Sequence, residues 1–174
     1  MTYSIDAQHT TVQFKVRHLM IANIRGVFTK VSGSVTYDEA SPTASTVDVT
    51  IETASLGTPD PARDAHLKGP DFFDAEKHPN ITFKSKSVSK SGSGLSVAGD
   101  LSLHGVTKPI TFAVSMPTGE TKDPWGNLRR GLEATTSLSR KDFGLTWNAA
   151  IESGGVMVSD QVDLIIDAEL VRKP

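Results

Sequence analysis

The residues best equipped for chemistry gather in one stretch, R-D-A-H-L-K-G-P-D-F-F-D-A-E-K-H-P-N-I-T-F-K-S, at positions 63–85. It holds eight Asp, Glu, Lys or Arg side chains, His66 and His78, and the pair Phe72-Phe73. Carboxylates beside imidazoles are the raw material of general acid–base catalysis and of metal ligation. Yet the five histidines (His9, His18, His66, His78 and His104) show neither H-E-x-x-H nor H-x-H spacing, and the chain has no cysteine. Spacing therefore argues for structural or turn roles; no metal site and no cofactor is expected. Asp6, Asp64, Asp71, Asp74 and Asp142 each stand beside a turn or a basic neighbour, which favours solvated or ion-paired carboxylates. The D-F-G at Asp142–Gly144 lacks the H-R-D loop and glycine-rich strand pair of a kinase, and 174 residues leave no room for one. Nor does a nucleophile elbow, Walker loop or dinucleotide fingerprint occur. No catalytic residue is assigned, and the chain reads as a non-enzyme.

The elements that must position these groups are strands. Ser and Thr supply 36 of 174 residues, and blocks rich in Ala, Leu, Glu and Lys are missing, a composition of strands and turns. Val12, Phe14 and Val16 alternate with Gln13, Lys15 and Arg17, and Val47, Val49 and Ile51 with Asp48 and Thr50. Ile81 and Phe83 begin another strand, continued by Ser85, Ser87 and Ser89. Leu95, Val97, Gly99, Leu101 and Leu103 keep the same period, as do Ile110, Phe112, Val114 and Met116. Between them H-G-V-T-K-P (His104–Pro109) reads as a hairpin turn. Leu128–Leu138 and Val162–Leu170 alternate again, and Gly26–Phe28 with Ser32–Tyr37 bring the total to about eight strands.

No strand carries the solid apolar run of a parallel sheet buried on both faces. The prediction is an all-β fold of antiparallel strands, each wet on one side, occupying residues 1–174 as a single domain. Periodicity fits a barrel or a sandwich. Long strands around Leu95–Met116, with Gly99 where a wall must bend, favour an eight-stranded barrel that leaves no open edge.

Within this frame residues 63–85 read as a plug. Asp60 is placed to N-cap a short helix near residues 61–69 that Gly69-Pro70 ends. Phe72 and Phe73 point apart on extended backbone, so at least one reaches the core. The predicted interior is Phe14, Val16, Val35, Tyr37, Val49, Ile51, Phe83, Val97, Leu101, Leu103, Phe112, Val114, Leu132, Leu138, Leu164 and Ile166. Only His18 and Arg130 fall on an inward parity with a titratable group, and both are expected at a mouth or paired. Eight strands leave room for a solid core or for one ligand.

A net charge of −2 offers no basic footprint for nucleic acid. The longest aliphatic run, Leu19-Met20-Ile21-Ala22, is far too short to span a bilayer as a helix. The opening M-T-Y-S-I-D has no basic stretch followed by an apolar one, so a cytoplasmic location is expected.

Six motifs in order resemble the YceI-like, polyisoprenoid-binding family across nearly the full length. They are D-A-Q-H-T-T-V-Q-F-K-V-R-H at 6–18, G-V-F at 26–28, R-D-A-H-L-K-G-P-D-F-F-D at 63–74, H-P-N-I-T-F-K-S at 78–85, G-D-L-S-L-H-G-V-T-K-P-I at 99–110 and S-R-K-D-F-G at 139–144. Thr10 and His78 stand where the family pattern often has Ser and Tyr. The resemblance implies an extended, lipocalin-like antiparallel barrel whose apolar pore holds a long isoprenoid, such as a quinone tail or a polyprenyl lipid. It also implies a homodimer without accepted catalytic activity, in a family with many exported members.

On that reading the ligand contacts are Phe14, Val16, Val49, Ile51, Phe83, Leu101, Leu103, Phe112, Val114 and Leu132, with His18 and Arg130 meeting a headgroup at the mouth. Leu19–Ala22 and Val156-Met157-Val158 read as apolar loops that form a portal or a dimer contact, or else pack locally against the barrel rim. Two other classes fit the residues. One is an enzyme acting on a barrel-bound lipid through His18, His66 or Asp142. The other is a ligand-free stress or scaffold protein with a filled core.

Overall fold

Strand after strand in this chain pairs antiparallel with its neighbour until the sheet meets itself. The computed structural model describes residues 1–152 and 155–174. In chain order the strands are β1 (Thr2–Ile5), β2 (Thr11–His18), β3 (Ala22–Phe28), β4 (Val31–Thr36), β5 (Thr46–Glu52) and β6 (Leu56–Gly57). After the helix α1 (Pro61–Lys68) come β7 (Asn80–Ser91), β8 (Gly94–Leu103), β9 (Val106–Val114), β10 (Thr121–Lys122), β11 (Leu128–Ser139) and β12 (Val158–Arg172).

Twelve segments make eight walls because four walls are interrupted, the fourth being β9 and β10, which both pair β11. β12 pairs β1 through Ile5↔Leu170 and β2 through Thr11↔Asp167, so β1 and β2 share a wall. β4 pairs β1 while β3 pairs β2, and β5 and β6 are parted by a single 3-10 turn at Thr53–Ser55. The barrel closes where β11 pairs both β9 and β12. That closure is lopsided. β11 and β12 run together from Arg129↔Val171 to Ser139↔Gln161, whereas β9 and β11 register only at Val114↔Ala134 and Ala113↔Thr135.

The period of two decides what lies inside. β8 alternates buried and half-buried residues from Gly94 to Leu103 without a break. β7 would lose its parity where Ser85, Ser87 and Ser89 follow Phe83. A register irregularity between Ser85 and Ser87 resets it, so Val88 is buried. Gly99 sits opposite Ser85, and a Cβ there would run into the Lys84 carbonyl and the Phe83 ring. The wall bends at that point because only glycine admits so close an approach.

Two local readings differ from the alternation pattern. The hairpin turn is not H-G-V-T-K-P but the pair His104-Gly105, with φ of 54° and 71°, the geometry of a two-residue turn whose twist matches its strands. Val106–Pro109 already belongs to β9; Pro109 is accepted because this half of β9 has no registered partner on β11. The second difference is β1, which a short Y-S-I pattern concealed. It carries Tyr3, fully buried in a small cluster with Val35, Tyr37 and Leu170.

The helix forms where its caps predict. The Asp60 carboxylate accepts the Ala62 and Arg63 N–H groups at 3.0 and 3.4 Å, and Pro61 occupies the first turn. The carbonyls of its last turn are taken by the turn that follows: Gly69 N–H donates to His66, Phe73 to Leu67 and Ala75 to Lys68. Those bonds fix the turn that carries Phe73 to the barrel interior.

Candidate functional site

A cavity of about 180 Å³ lies along the barrel axis, and all eight walls contribute to its lining. A single water needs only about 10–15 Å³, and a dry apolar cavity of about 150 Å³ can hold a benzene-sized molecule. The filled-core reading therefore does not describe this interior.

The lining is hydrocarbon almost throughout. β12 supplies Val162, Leu164, Ile166, Ala168 and Leu170, and β7, β8 and β9 supply Ile81, Phe83, Val97, Leu101, Leu103, Phe112 and Val114. Phe83 and Phe112 meet edge to face at 5.0 Å between ring centres. Of the residues expected to touch a ligand, Phe14, Val49, Ile51, Phe83, Leu101, Leu103, Phe112, Val114 and Leu132 line this cavity. Val16, His18 and Arg130 do not. Val16 and His18 lie further along β2, both half-buried.

The two ends of the cavity are closed by different devices. At one end α1 and its following turn deliver Phe73 against Phe14 and Phe28, at 6.3 and 5.7 Å between ring centres. Phe14 in turn lies flat over Gly26, where any Cβ would collide with the ring. Phe72 turns the other way and packs with Trp147 and His66. Beside them a 3-10 turn, Arg140–Phe143, buries Phe143 and brings Leu145 into the lining.

The opposite end is closed by Tyr3, Tyr37 and Arg130. Arg130 is buried; its Nε donates to the Tyr3 hydroxyl at 2.9 Å and its Nη1 to the Thr118 carbonyl at 2.6 Å. Its Nη2 pairs with Glu39 at 2.6 Å, and the guanidinium lies 5.8 and 5.3 Å from the Tyr3 and Tyr37 ring centres. The Tyr3 hydroxyl itself donates to Glu120 at 2.6 Å. Burial first, and then that bond to Glu120, push the phenol up from its ordinary range. Arg130 is thus a paired arginine committed to the protein.

Chemistry inside the cavity is sparse. The only titratable lining residue among those described is Arg140, which sequence spacing does not single out because a lone charge in a strand–turn junction reads as surface. Its donors are spent on backbone carbonyls: Nη1 on Leu145 and Trp147 at 2.7 and 2.8 Å, Nε on Ser159 at 2.9 Å and Nη2 on Val158 at 3.2 Å. Burial lowers its pKa, with Asp160 opposing. His18, His66 and Asp142, the acid–base groups of the enzyme reading, do not meet at the cavity. His66 bonds Asp71 at 2.9 Å on the outer side of α1, and Asp142 is exposed. What remains is a space suited to an apolar chain and to little else.

Comparison with known proteins agrees with this geometry. Residues 3–170 match the family described as the YceI-like domain. Protein YceI of Escherichia coli is 40% identical over 173 residues, covering 98% of this chain and 87% of that protein. Burkholderia cenocepacia BcnA superposes with a TM-score of 0.82 at 21% identity, covering 95% of this chain and 98% of its own. A polyisoprenoid binding domain from Saccharophagus degradans, implicated in plant cell wall breakdown, superposes with a TM-score of 0.67 at 17% identity, over 98% of each chain. At these identities the two structures speak to the fold. Among the described residues no helix is long and apolar enough to cross a membrane.

Proposed function

This chain belongs to the YceI-like domain family, and on that premise we propose that its barrel binds the tail of a long-chain isoprenoid lipid, of polyprenyl or quinone type, which it carries or stores without acting on it chemically. The observation that carries this reading is the cavity of about 180 Å³ whose lining offers hydrocarbon on all eight walls and, among the described residues, no titratable group but the hydrogen-bonded Arg140. Each methylene moved from water into such a lining contributes about 0.8 kcal/mol, so an isoprenoid tail gains affinity with every unit it buries and needs no hydrogen bond to do so. The same fold serves a polyisoprenoid binding domain in Saccharophagus degradans.

The tail contacts in this proposal are Phe14, Val49, Ile51, Phe83, Leu101, Leu103, Phe112, Val114 and Leu132, with Val16 touched by the part of the ligand nearest the α1 end. His18 lies at that end, half-buried, and serves as the headgroup contact; Arg130 is left to hold the opposite end shut. The exposed Met20, Ile21 and Val156 sit on loops joined by the Leu19 N–H to Met157 carbonyl bond of 2.8 Å. This apolar patch is our choice for the homodimer contact.

Native mass spectrometry with organic extraction of the purified protein tests the proposal. A stoichiometric isoprenoid, or saturable uptake of an added quinone, is the expected result; a barrel that stays empty in the presence of both overturns it. Leu103→Trp projects an indole into the cavity and abolishes uptake while the far-ultraviolet spectrum stays unchanged. Retained uptake in that variant means that the tail lies elsewhere.

A further inference from the structure

The fold brings Asp74, His78 and His104 together from two separate turns, one after α1 and one joining β8 to β9. Each offers one ligand atom, and the three atoms lie within 4.8 Å of one another. We propose that these residues form a binding site for one divalent transition-metal ion of the zinc class.

Two imidazole nitrogens and one carboxylate oxygen suit zinc, copper, nickel or cobalt, and three protein ligands leave a position for water. Metal–ligand bonds of about 2.0–2.2 Å put tetrahedral ligand atoms roughly 3.3–3.5 Å apart. The existing spread of at most 4.8 Å has to close by roughly an ångström and a half to reach that spacing.

The donors of His78 and Asp74 are not otherwise employed. Neither the His78 ring nor the Asp74 carboxylate has a hydrogen bond among the described residues; the exposed Lys77 ammonium stands 3.9 Å from Asp74. All three side chains are half-buried, and the imidazoles of His78 and His104 meet edge to face at 4.9 Å.

His104 Nδ1 lies 3.0 Å from the Phe143 carbonyl. A carbonyl only accepts, so Nδ1 carries the proton and the neutral ring keeps its lone pair on Nε2. A backbone carbonyl holding the far nitrogen of a ligating histidine is the usual outer-shell arrangement of a metal site. Asp74 and His104 are also two of the four non-glycine residues with positive φ among those described, at 47° and 54°. Gly105 is open to the His78 ring because it lacks a Cβ: one would stand 2.8 Å from that ring.

The chain has a second trio, Asp6, His9 and Glu169, and it fails the same tests. Asp6 and Glu169 both already hold the Arg129 guanidinium, at 2.6 and 2.7 Å. A cation there has to displace an arginine. At Asp74, His78 and His104 it displaces nothing stronger than an exposed lysine at the limit of ion-pair distance.

A metal at this place ties the turn carrying Phe72 and Phe73 to the β8–β9 hairpin and, through the Phe143 carbonyl, to the 3-10 turn. It therefore clamps the α1 end of the barrel. The site stands whether or not the cavity takes a lipid.

Titration of the lipid-free full chain with cobalt(II) tests the inference. We expect one equivalent to bind with the visible absorption of a low-coordinate nitrogen–oxygen site, and zinc to displace it. His78→Tyr and Asp74→Asn should each weaken binding by more than the roughly 10–100-fold that loss of an outer-shell partner costs; His9→Gln should leave it unchanged. Zinc should also raise the melting temperature of the wild type and not that of His78→Tyr, with the metal-free melting temperatures showing that each variant folds. The inference is overturned if no saturable equivalent binds, or if His78→Tyr and Asp74→Asn bind as the wild type does.

Discussion

Arg129 and Arg130 are adjacent in sequence and do opposite jobs, because alternation sends one outward and one inward. Arg129 gathers Asp6, Asp123 and Glu169 at 2.6–2.7 Å, pinning the β1–β2 connection, the β10–β11 hairpin and β12 from outside. Its hydrogen bond to Asp6, helped by His9, holds that carboxyl down at about 2. An unfolded aspartate titrates near 3.9. A carboxylate whose folded pKa is depressed stabilises the fold above its unfolded value, and the contribution is lost as pH falls from about 4 towards 2. Asp6→Asn should therefore lower the urea midpoint at pH 7 and change it far less at pH 2; an equal drop at both means that the ion pair is not the cause. Arg130 works inside, where its loss strands the Thr118 carbonyl and uncovers two tyrosine rings. Arg130→Met should cost about 2–3 kcal/mol in urea unfolding. Prenyl-tail affinity should stay within about twofold; a larger loss returns Arg130 to the headgroup.

Among the elements, α1 and its turn are the ones whose meaning changed most between sequence and structure. The caps were legible: Asp60 before Pro61 and Gly69 after Lys68 leave few alternatives. So was most of the interior, since one face of a strand repeats every second residue and β12 follows that rule from Val162 to Leu170. What period two does not carry is anything set by contact between distant segments. It placed Val16 in the lining on parity alone, blind to where along β2 the cavity stops. It passed over Tyr3 in a four-residue strand, and Arg140, whose partners are carbonyls and leave no trace in residue type. The Asp74, His78 and His104 cluster is illegible for the same reason, because spacing rules look for ligands on one element. Phe73 tests the role given to the plug. Phe73→Ala removes a half-buried ring from Phe14 and Phe28, so it should cost about 2–3 kcal/mol, less than a fully buried phenylalanine. It should also tighten binding of bulkier tails by lengthening the cavity. Lost stability with unchanged tail preference means that Phe73 braces the barrel without bounding the ligand.

At the scale of the whole molecule the cavity is smaller than the ligand proposed for it. About 180 Å³ exceeds a benzene-sized void only modestly, so it holds one or two isoprene units and not a long tail. A packed interior does not stretch evenly, and the extra room has to come where the wall is weakest. That place is the β9–β11 seam, with two registered pairs against the eleven that join β11 to β12. On one side of those pairs the seam continues through the Ser115 N–H to Glu133 carbonyl and Thr118 N–H to Gly131 carbonyl bonds, at 2.8 and 2.9 Å; on the other it has the bond from the Thr136 hydroxyl to the Thr111 carbonyl, at 2.8 Å. Opening from the Thr111 and Thr136 side costs few ladder bonds and widens the cavity beside Phe112 and Leu138. Ala113 and Thr135 face each other across the seam, both exposed, in a chain with no cysteine. Directly paired strand positions fall within the Cα separation that a disulfide spans. The double variant Ala113→Cys, Thr135→Cys should therefore lock the seam when oxidised. Short prenyl alcohols should bind the oxidised and reduced forms alike, while tails of eight or more units should bind the reduced form at least tenfold more tightly. Equal affinity of both forms for the long tail places the expansion elsewhere, with the α1 end the remaining candidate.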